Sequence, residues 1–271
     1  MNDPTNPGRP YIPVLLYHAV MDDPPAWIAE FTVTPREFTA QLDAVVASGR
    51  TPVTVGTFVA HLTAGAPLPE RPVILTIDDG FADLPGPTAE ALAERSLPST
   101  AYLTTGAITP GGRSLLPPAP MMTLGQVPLL EQYGMEIGTH TVTHPQLDTL
   151  RRGALERELR EPREVLEDLL GHEVTHLAYP HGYSSRGVRK AALRAGYTSA
   201  VAVRHALSSQ TDDTYRIARL IVRRTHTVAD VEAWLAGTGV PVAPFPESFK
   251  TAGWRWYRRA RAAVRGPVFA G

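Results

Sequence analysis

The 271-residue chain sets 26 Lys and Arg against 27 Asp and Glu, for a formal net charge of −1, and it contains no cysteine. The charge balance gives no global attraction to nucleic acid, and the missing thiols exclude disulfides, Cys-ligated zinc and a cysteine nucleophile. Any metal must therefore be held by histidine and carboxylate.

Short apolar runs alternate with helix-like stretches from end to end. Val14–Tyr17 reads as a first strand. Thr34-Pro35-Arg36-Glu37 reads as a capping box with proline at the first helical position, opening a helix that Gly49 stops. A short strand at Pro52–Thr54 and a helix from Thr57 to Leu62 follow. Next come the strand Val73–Ile77, a helix over Thr88–Arg95 and a strand over Thr100–Thr104. The Gly- and Pro-rich loop 105–120 is long enough to read as functional. A helix near Leu124–Tyr133 leads into a strand at Met135–Thr139, then a charged helix over 151–170 with an expected distortion at Pro162. Strand Thr175–Tyr179, helix Arg186–Ala195, strands Ser199–Val203 and Arg216–Leu220, and helix Val228–Leu235 complete the series. The alternation predicts an α/β fold with a mostly parallel sheet. No Gly-rich dinucleotide fingerprint follows the first strand, and about seven or eight strand–helix units suit a barrel better than an open sheet.

The polar clusters sit where the strands end. His18 follows the first strand, Asp78-Asp79-Gly80 follows Val73–Ile77, and His140 and His144 follow Met135–Thr139. Tyr179-Pro180-His181-Gly182 closes the strand that starts at Thr175. In a parallel barrel all of these lie on the C-terminal rim, where active sites are built. Adjacent carboxylates repel, so Asp78 and Asp79 call for a cation or a proton between them. An isolated Asp-Asp-Gly is more often a plain turn, and nine histidines make one chance pair unremarkable. Two imidazoles and one carboxylate with open positions nonetheless describe a catalytic zinc or similar divalent site.

Together, Thr76-Ile77-Asp78-Asp79-Gly80, His140-Thr141-Val142-Thr143-His144 and Tyr179-Pro180-His181-Gly182 resemble, in order and rough spacing, the polysaccharide deacetylases of carbohydrate esterase family 4. The resemblance runs from about Val14 to Leu235. It implies a distorted (β/α) barrel with about seven strands and a metal-dependent hydrolase, zinc being the expected ion, that removes N-acetyl groups from an N-acetylated carbohydrate. It implies Asp79, His140 and His144 as metal ligands and Asp78 as the base that deprotonates the attacking water. The backbone amide of Tyr179 is implied as the donor to the developing oxyanion. Such a reaction also needs an acid for the departing nitrogen.

The family's commonest arrangement takes that acid from a Leu-x-His motif near the C-terminal end. Here Leu16-Tyr17-His18 carries the pattern at the N-terminus, as in the permuted branch resembling the poly-N-acetylglucosamine deacetylases. First and last strands adjoin in a closed barrel, so His18 is the expected acid, with His181 and His226 as the other candidates. The arginine that often precedes the Tyr-Pro segment is missing. Arg219, on the last expected strand, is a substitute for orienting Asp78, but an ordinary surface or ion-pair arginine is the preferred reading. Trp27, Tyr102 and Tyr183 are candidates for stacking on sugar rings.

Residues 1–247 are expected to form a single barrel domain and 248–271 a basic, aromatic-rich C-terminal helix or tail. Peripheral membrane contact is one reading of that tail; tryptophans covering the bottom of the barrel is the preferred one. No apolar run reaches the ~18 residues of a membrane span or the core of a signal peptide, so a cytoplasmic protein is expected. The competing functions are a catalytically inactive glycan-binding protein, an amidase acting on a non-sugar amide, and an iron(II) oxygenase using the same ligand set.

Overall fold

A computed structural model of the protein describes residues 10–246 and 249–266. Eight strands form one sheet: β1 (Val14–Tyr17), β2 (Thr51–Pro52), β3 (Pro72–Asp79), β4 (Ser99–Leu103), β5 (Met135–Thr139), β6 (His176–Ala178), β7 (Ser199–Val203) and β8 (Ile217–Ile221). Every pairing is parallel. The order β1-β8-β7-β6-β5-β4-β3 returns to β1 through a β1–β3 pairing, so seven strands close a barrel and β2 is added to the first two residues of β3.

The helices are α1 (Pro35–Ala47), α2 (Val55–Ala64), α3 (Ala89–Glu94), α4 (Thr105–Ile108), α5 (Val127–Gln132), α6 (Arg152–Leu170), α7 (Arg186–Arg194), α8 (Val228–Leu235) and α9 (Phe249–Arg265). The capping box read at Thr34 is formed: its hydroxyl accepts from the Glu37 amide while the Glu37 carboxylate accepts from the Thr34 amide. α4 is a turn of helix inside a segment read as loop. Pro162 does not break α6. It lies on the helix's buried face with Leu159 and Leu166, and that packing offsets the backbone hydrogen bond the proline cannot make. None of the described helices is long and apolar enough to cross a membrane.

Two-residue alternation divides each strand between two environments. Outward residues such as Leu15, Leu75, Ile77, Leu103, Ile137 and Leu220 pack under the helices. Inward residues Val14, Ile74, Tyr102, Ala178, Val201 and Ile217 fill the barrel. Gly138 completes this layer: a Cβ there would stand 2.6 Å from the Tyr102 ring, so the tyrosine occupies the place of the missing side chain. Tyr102 is therefore fully buried in the barrel and is removed from the candidates for stacking on a sugar.

Candidate active site

The inward alternation leads straight to the mouth. Continuing two residues at a time, Val14 and Leu16 lead to His18, Ile74 and Thr76 to Asp78, and Glu136 and Gly138 to His140. The parallel register Tyr17↔Ile77 sets His18 beside Asp78. At the mouth the backbone departs from extended geometry: Asp79 (φ 75°), Thr141 (φ 71°), His144 (φ 61°) and His181 (φ 58°) are left-handed, at a cost of about 1–3 kcal/mol each. For β-branched Thr141 this is an outlier that the surroundings must hold in place.

They hold it firmly. The Thr141 hydroxyl accepts from the His144 amide at 3.0 Å. Glu158 of α6 accepts from the amides of Val142 and Thr143, each at 2.9 Å, and from the Thr143 hydroxyl at 2.6 Å. Gly106 of α4 donates to the Val142 carbonyl at 2.8 Å, an approach so close that a Cβ would lie 2.6 Å from that oxygen. The loop carrying His140 and His144 is thus bound on both sides by groups outside the motif.

Asp79, His140 and His144 are buried, and one ligand atom from each lies within 4.8 Å of the others, the one such group among the described residues. His140 Nε2 and His144 Nε2 are 3.1 Å apart, and Asp79 Oδ1 is 3.6 Å and 3.4 Å from them. His140 Nδ1 donates to the Ala178 carbonyl at 2.8 Å, which leaves the lone pair on Nε2, facing its neighbours. Burial, opposed in part by Asp78, lowers the His140 pKa; burial followed by the neighbouring His140, His181 and His18 drives that of His144 well down. Both rings are therefore neutral donors. Burial and then the Asp78 charge push Asp79 well above the usual carboxylate range, and its Oδ1 has no hydrogen-bond partner. Two neutral imidazoles converging on an orphaned buried carboxylate oxygen fit a divalent cation.

Asp78 is held differently. Arg219 Nη1 and Nη2 donate to Oδ1 and Oδ2, each at 2.7 Å, and Nη1 also reaches the Thr76 hydroxyl at 3.1 Å. Burial, the largest influence, would raise the Asp78 pKa, but Arg219, His140 and His18 together outweigh it and hold the group below the ordinary carboxylate range. The surface reading of Arg219 is thus corrected: the side chain is fully buried inside the barrel, and its ion pair is with Asp78. Arg219 lies on an inward position of β8, two residues beyond Ile217, and its partner is a carboxylate 141 positions earlier.

His18 lines the mouth together with Asp78, Asp79 and the two histidines. Burial lowers its pKa to about 4, partly opposed by Asp78, so the ring is neutral at pH 7. His181 also lines the mouth, its ring 4.8 Å from that of His144. His226 does not: it stacks on His205 and meets the edge of Trp234, away from the metal-capable group. The Tyr179 amide, expected to face the pocket, donates to the Val201 carbonyl of the adjacent strand at 3.2 Å. It is a sheet donor in this structure, because the sequence places Tyr179 one residue past a strand whose ladder continues through it.

The mouth is a cavity of about 320 Å³, within the ~300–1,000 Å³ usual for small-ligand sites. Trp27 and Tyr183 are both on its wall. Tyr183 is positioned by α9: Trp254 Nε1 donates to its hydroxyl at 3.2 Å, and the Arg258 guanidinium lies 3.5 Å over its ring. Arg258 also bonds Asp148 at 2.6 Å, and Arg259 donates to the Asp148 carbonyl at 2.8 Å. The C-terminal helix therefore docks on the rim beside the mouth, and the expected covering of the barrel bottom by its tryptophans is overturned. Asp148, in the turn after the histidine loop, offers the buried acid that the basic helix matches.

Known proteins share this arrangement of strands. YxkH of Bacillus subtilis (strain 168), a protein named for the polysaccharide deacetylases, is 23% identical over 78% of this chain and 71% of its own. The Streptococcus pyogenes deacetylase PplD, solved in complex with acetate, superposes with a TM-score of 0.72 at 23% identity, covering 82% of this chain and 96% of that one. IcaB from Ammonifex degensii superposes with a TM-score of 0.69 at 22% identity, covering 83% and 97%. At these identities the superpositions establish a common fold. The family model for polysaccharide deacetylases matches residues 65–200, half of the chain, from the approach to β3 through β7. With Asp78-Asp79 and His140/His144 inside that match, the chain belongs to the polysaccharide deacetylase family.

Proposed function

We propose that the protein is a divalent-metal-dependent N-deacetylase that hydrolyses the acetamido group of an N-acetylated sugar to acetate and the free amine. The observation that carries this reading is the buried convergence of Asp79, His140 and His144 next to a second carboxylate, Asp78, that is already paired. Asp79, His140 and His144 would hold the ion, with zinc the ion such a donor set suits. When bound, a divalent ion supplies Lewis acidity toward the acetyl carbonyl and toward water.

The protein's own groups do the proton work. Asp78 takes the proton of the attacking water. Arg219 uses one lone pair of each carboxylate oxygen, and Oδ2, 3.7 Å from His140 Nε2, keeps a second. Arg219 keeps the carboxylate ionised and fixed in direction. His18, one residue past β1 and beside Asp78, delivers a proton to the nitrogen as the carbon–nitrogen bond breaks. Its ring is neutral at rest, so the proton it delivers is the one Asp78 has taken from the water, and both side chains end the cycle as they began it. Tyr179 serves as oxyanion donor only by sharing its amide hydrogen with the Val201 carbonyl. Residues 1–247 are read as the catalytic barrel and 248–271 as an appended basic segment. An oxygenase reading of the same ligands is disfavoured by the closed parallel barrel.

The test is acetate release from a panel of N-acetylated mono- and oligosaccharides, with metal content measured on the same preparation. Chelation should abolish release and a divalent ion restore it; full turnover in the metal-stripped protein contradicts the proposal.

A further inference from the structure

α9 is turned the opposite way from a helix that covers a core. The face toward the barrel carries charge: Arg258 is 1% exposed against Asp148, and Arg255 lies 3.6 Å from the same carboxylate. The face toward solvent carries the apolar side chains. Trp256 is 75% exposed, Val264 85% and Tyr257 51%, with exposed Ala260 between them. Positions 256/257, 260 and 264 recur at helical spacing and form one stripe. Arg259 and Arg261 border it, each about 100° around the helix from Ala260.

An apolar stripe kept in water by an inward-facing ion pair implies something that covers it. We propose that α9 is an interfacial anchor that seats the protein on an anionic lipid bilayer, with Trp256, Tyr257 and Val264 in the headgroup region. Charge selects this occupant. Between 249 and 265 the helix has six basic residues, Lys250, Arg255, Arg258, Arg259, Arg261 and Arg265, and no acid, although the whole chain is at −1. Pairing α9 with α9 of a second copy would set like charges against each other. Anionic headgroups instead attract the basic groups that border the stripe, Arg259 and Arg261, by about 1 kcal/mol each. Tryptophan and tyrosine flanked by arginine are the side chains of that interface, and the helix lies on a bilayer rather than crossing it. Because α9 is fastened to Asp148 and Tyr183 on the rim, seating it holds the mouth alongside the lipid surface, where a surface-borne glycan would meet it. The anchor itself does not depend on the deacetylase reading.

The experiment is co-sedimentation of the full chain with vesicles of phosphatidylcholine alone or mixed with phosphatidylglycerol. The double variant Trp256→Ser/Val264→Ser is run in parallel, with thermal unfolding as the check on folding. Neither side chain reaches the mouth. Binding is expected to the mixed vesicles, weakened by about tenfold or more when salt is raised or phosphatidylglycerol omitted, and by a similar factor in the double variant. No binding to the mixed vesicles, or equal binding by a folded double variant, overturns the proposal. So does a concentration-dependent dimer that the double variant loses while vesicle binding is absent, an outcome that would assign the stripe to a second copy.

Discussion

Replacing Arg219 separates charge from metal in this site. Its guanidinium is fully buried and meets a carboxylate that is only 1% exposed through two bonds of 2.7 Å. Arg219→Met leaves a buried carboxylate without its partner, a defect of about 3–5 kcal/mol. For a chain of this size that lowers the melting temperature by roughly 6–15 °C, which a folded domain survives. The larger effect is on protonation. Burial raises the Asp78 pKa and Arg219 is the chief influence against it, so the variant's Asp78 titrates at higher pH. The acid limb of the pH–rate profile for acetate release should move upward and turnover at neutral pH should fall. Metal content should stay near that of the wild type, because Arg219 touches none of Asp79, His140 and His144. Arg219→Lys restores the charge without the two-pronged grip and should fall between the two. A folded Arg219→Met protein with the wild-type acid limb would refute this account of Asp78.

Glu158→Gln removes the charge that fastens the amides of Val142 and Thr143 and the Thr143 hydroxyl. Metal affinity should fall by about 10–100-fold in a competition assay, with the melting temperature of the metal-free protein changing little; unchanged affinity contradicts the clamp. His18 gives a pH signature. Its folded pKa of about 4 lies below the ordinary 6.5, so between those values the unfolded chain holds a proton that the native chain does not. Native stability of the metal-free protein therefore falls as pH is lowered through this window, by up to about 3 kcal/mol from this group. Urea unfolding at pH 7 and pH 4.5 should show a smaller loss in His18→Gln than in the wild type, and equal losses would contradict it.

The strands and their polar ends were legible because the barrel obeys short-range rules. Hydrophobic runs of strand length, the Thr34 capping box and the placement of His18, His140 and Tyr179 after strands need only neighbours in the chain to be read. β3 nevertheless runs two residues further than expected and takes in Asp78 and Asp79. What was not legible depends on distant partners or on backbone conformation. Arg219 looks like any arginine until β8 closes against β1 and its inward position faces Asp78. Glu158 is one acid among many on a charged helix, and only the left-handed turn at Thr141 aims two amides at it. Tyr102 lies at a strand end like the catalytic residues, but it points into the space Gly138 leaves. The composition of α9 announced an unusual helix; its orientation was decided by Asp148, a residue that no local pattern distinguishes.

The central claim is a division of labour between adjacent aspartates, with Asp79 and the two histidines holding the ion and Asp78 moving the proton. Measuring bound metal and acetate release together on Asp78→Asn and His140→Ala tests it directly. The account predicts that Asp78→Asn keeps its metal and loses turnover, whereas His140→Ala loses both. An Asp78→Asn protein that deacetylates at the wild-type rate, or a His140→Ala protein that retains stoichiometric metal, would contradict it.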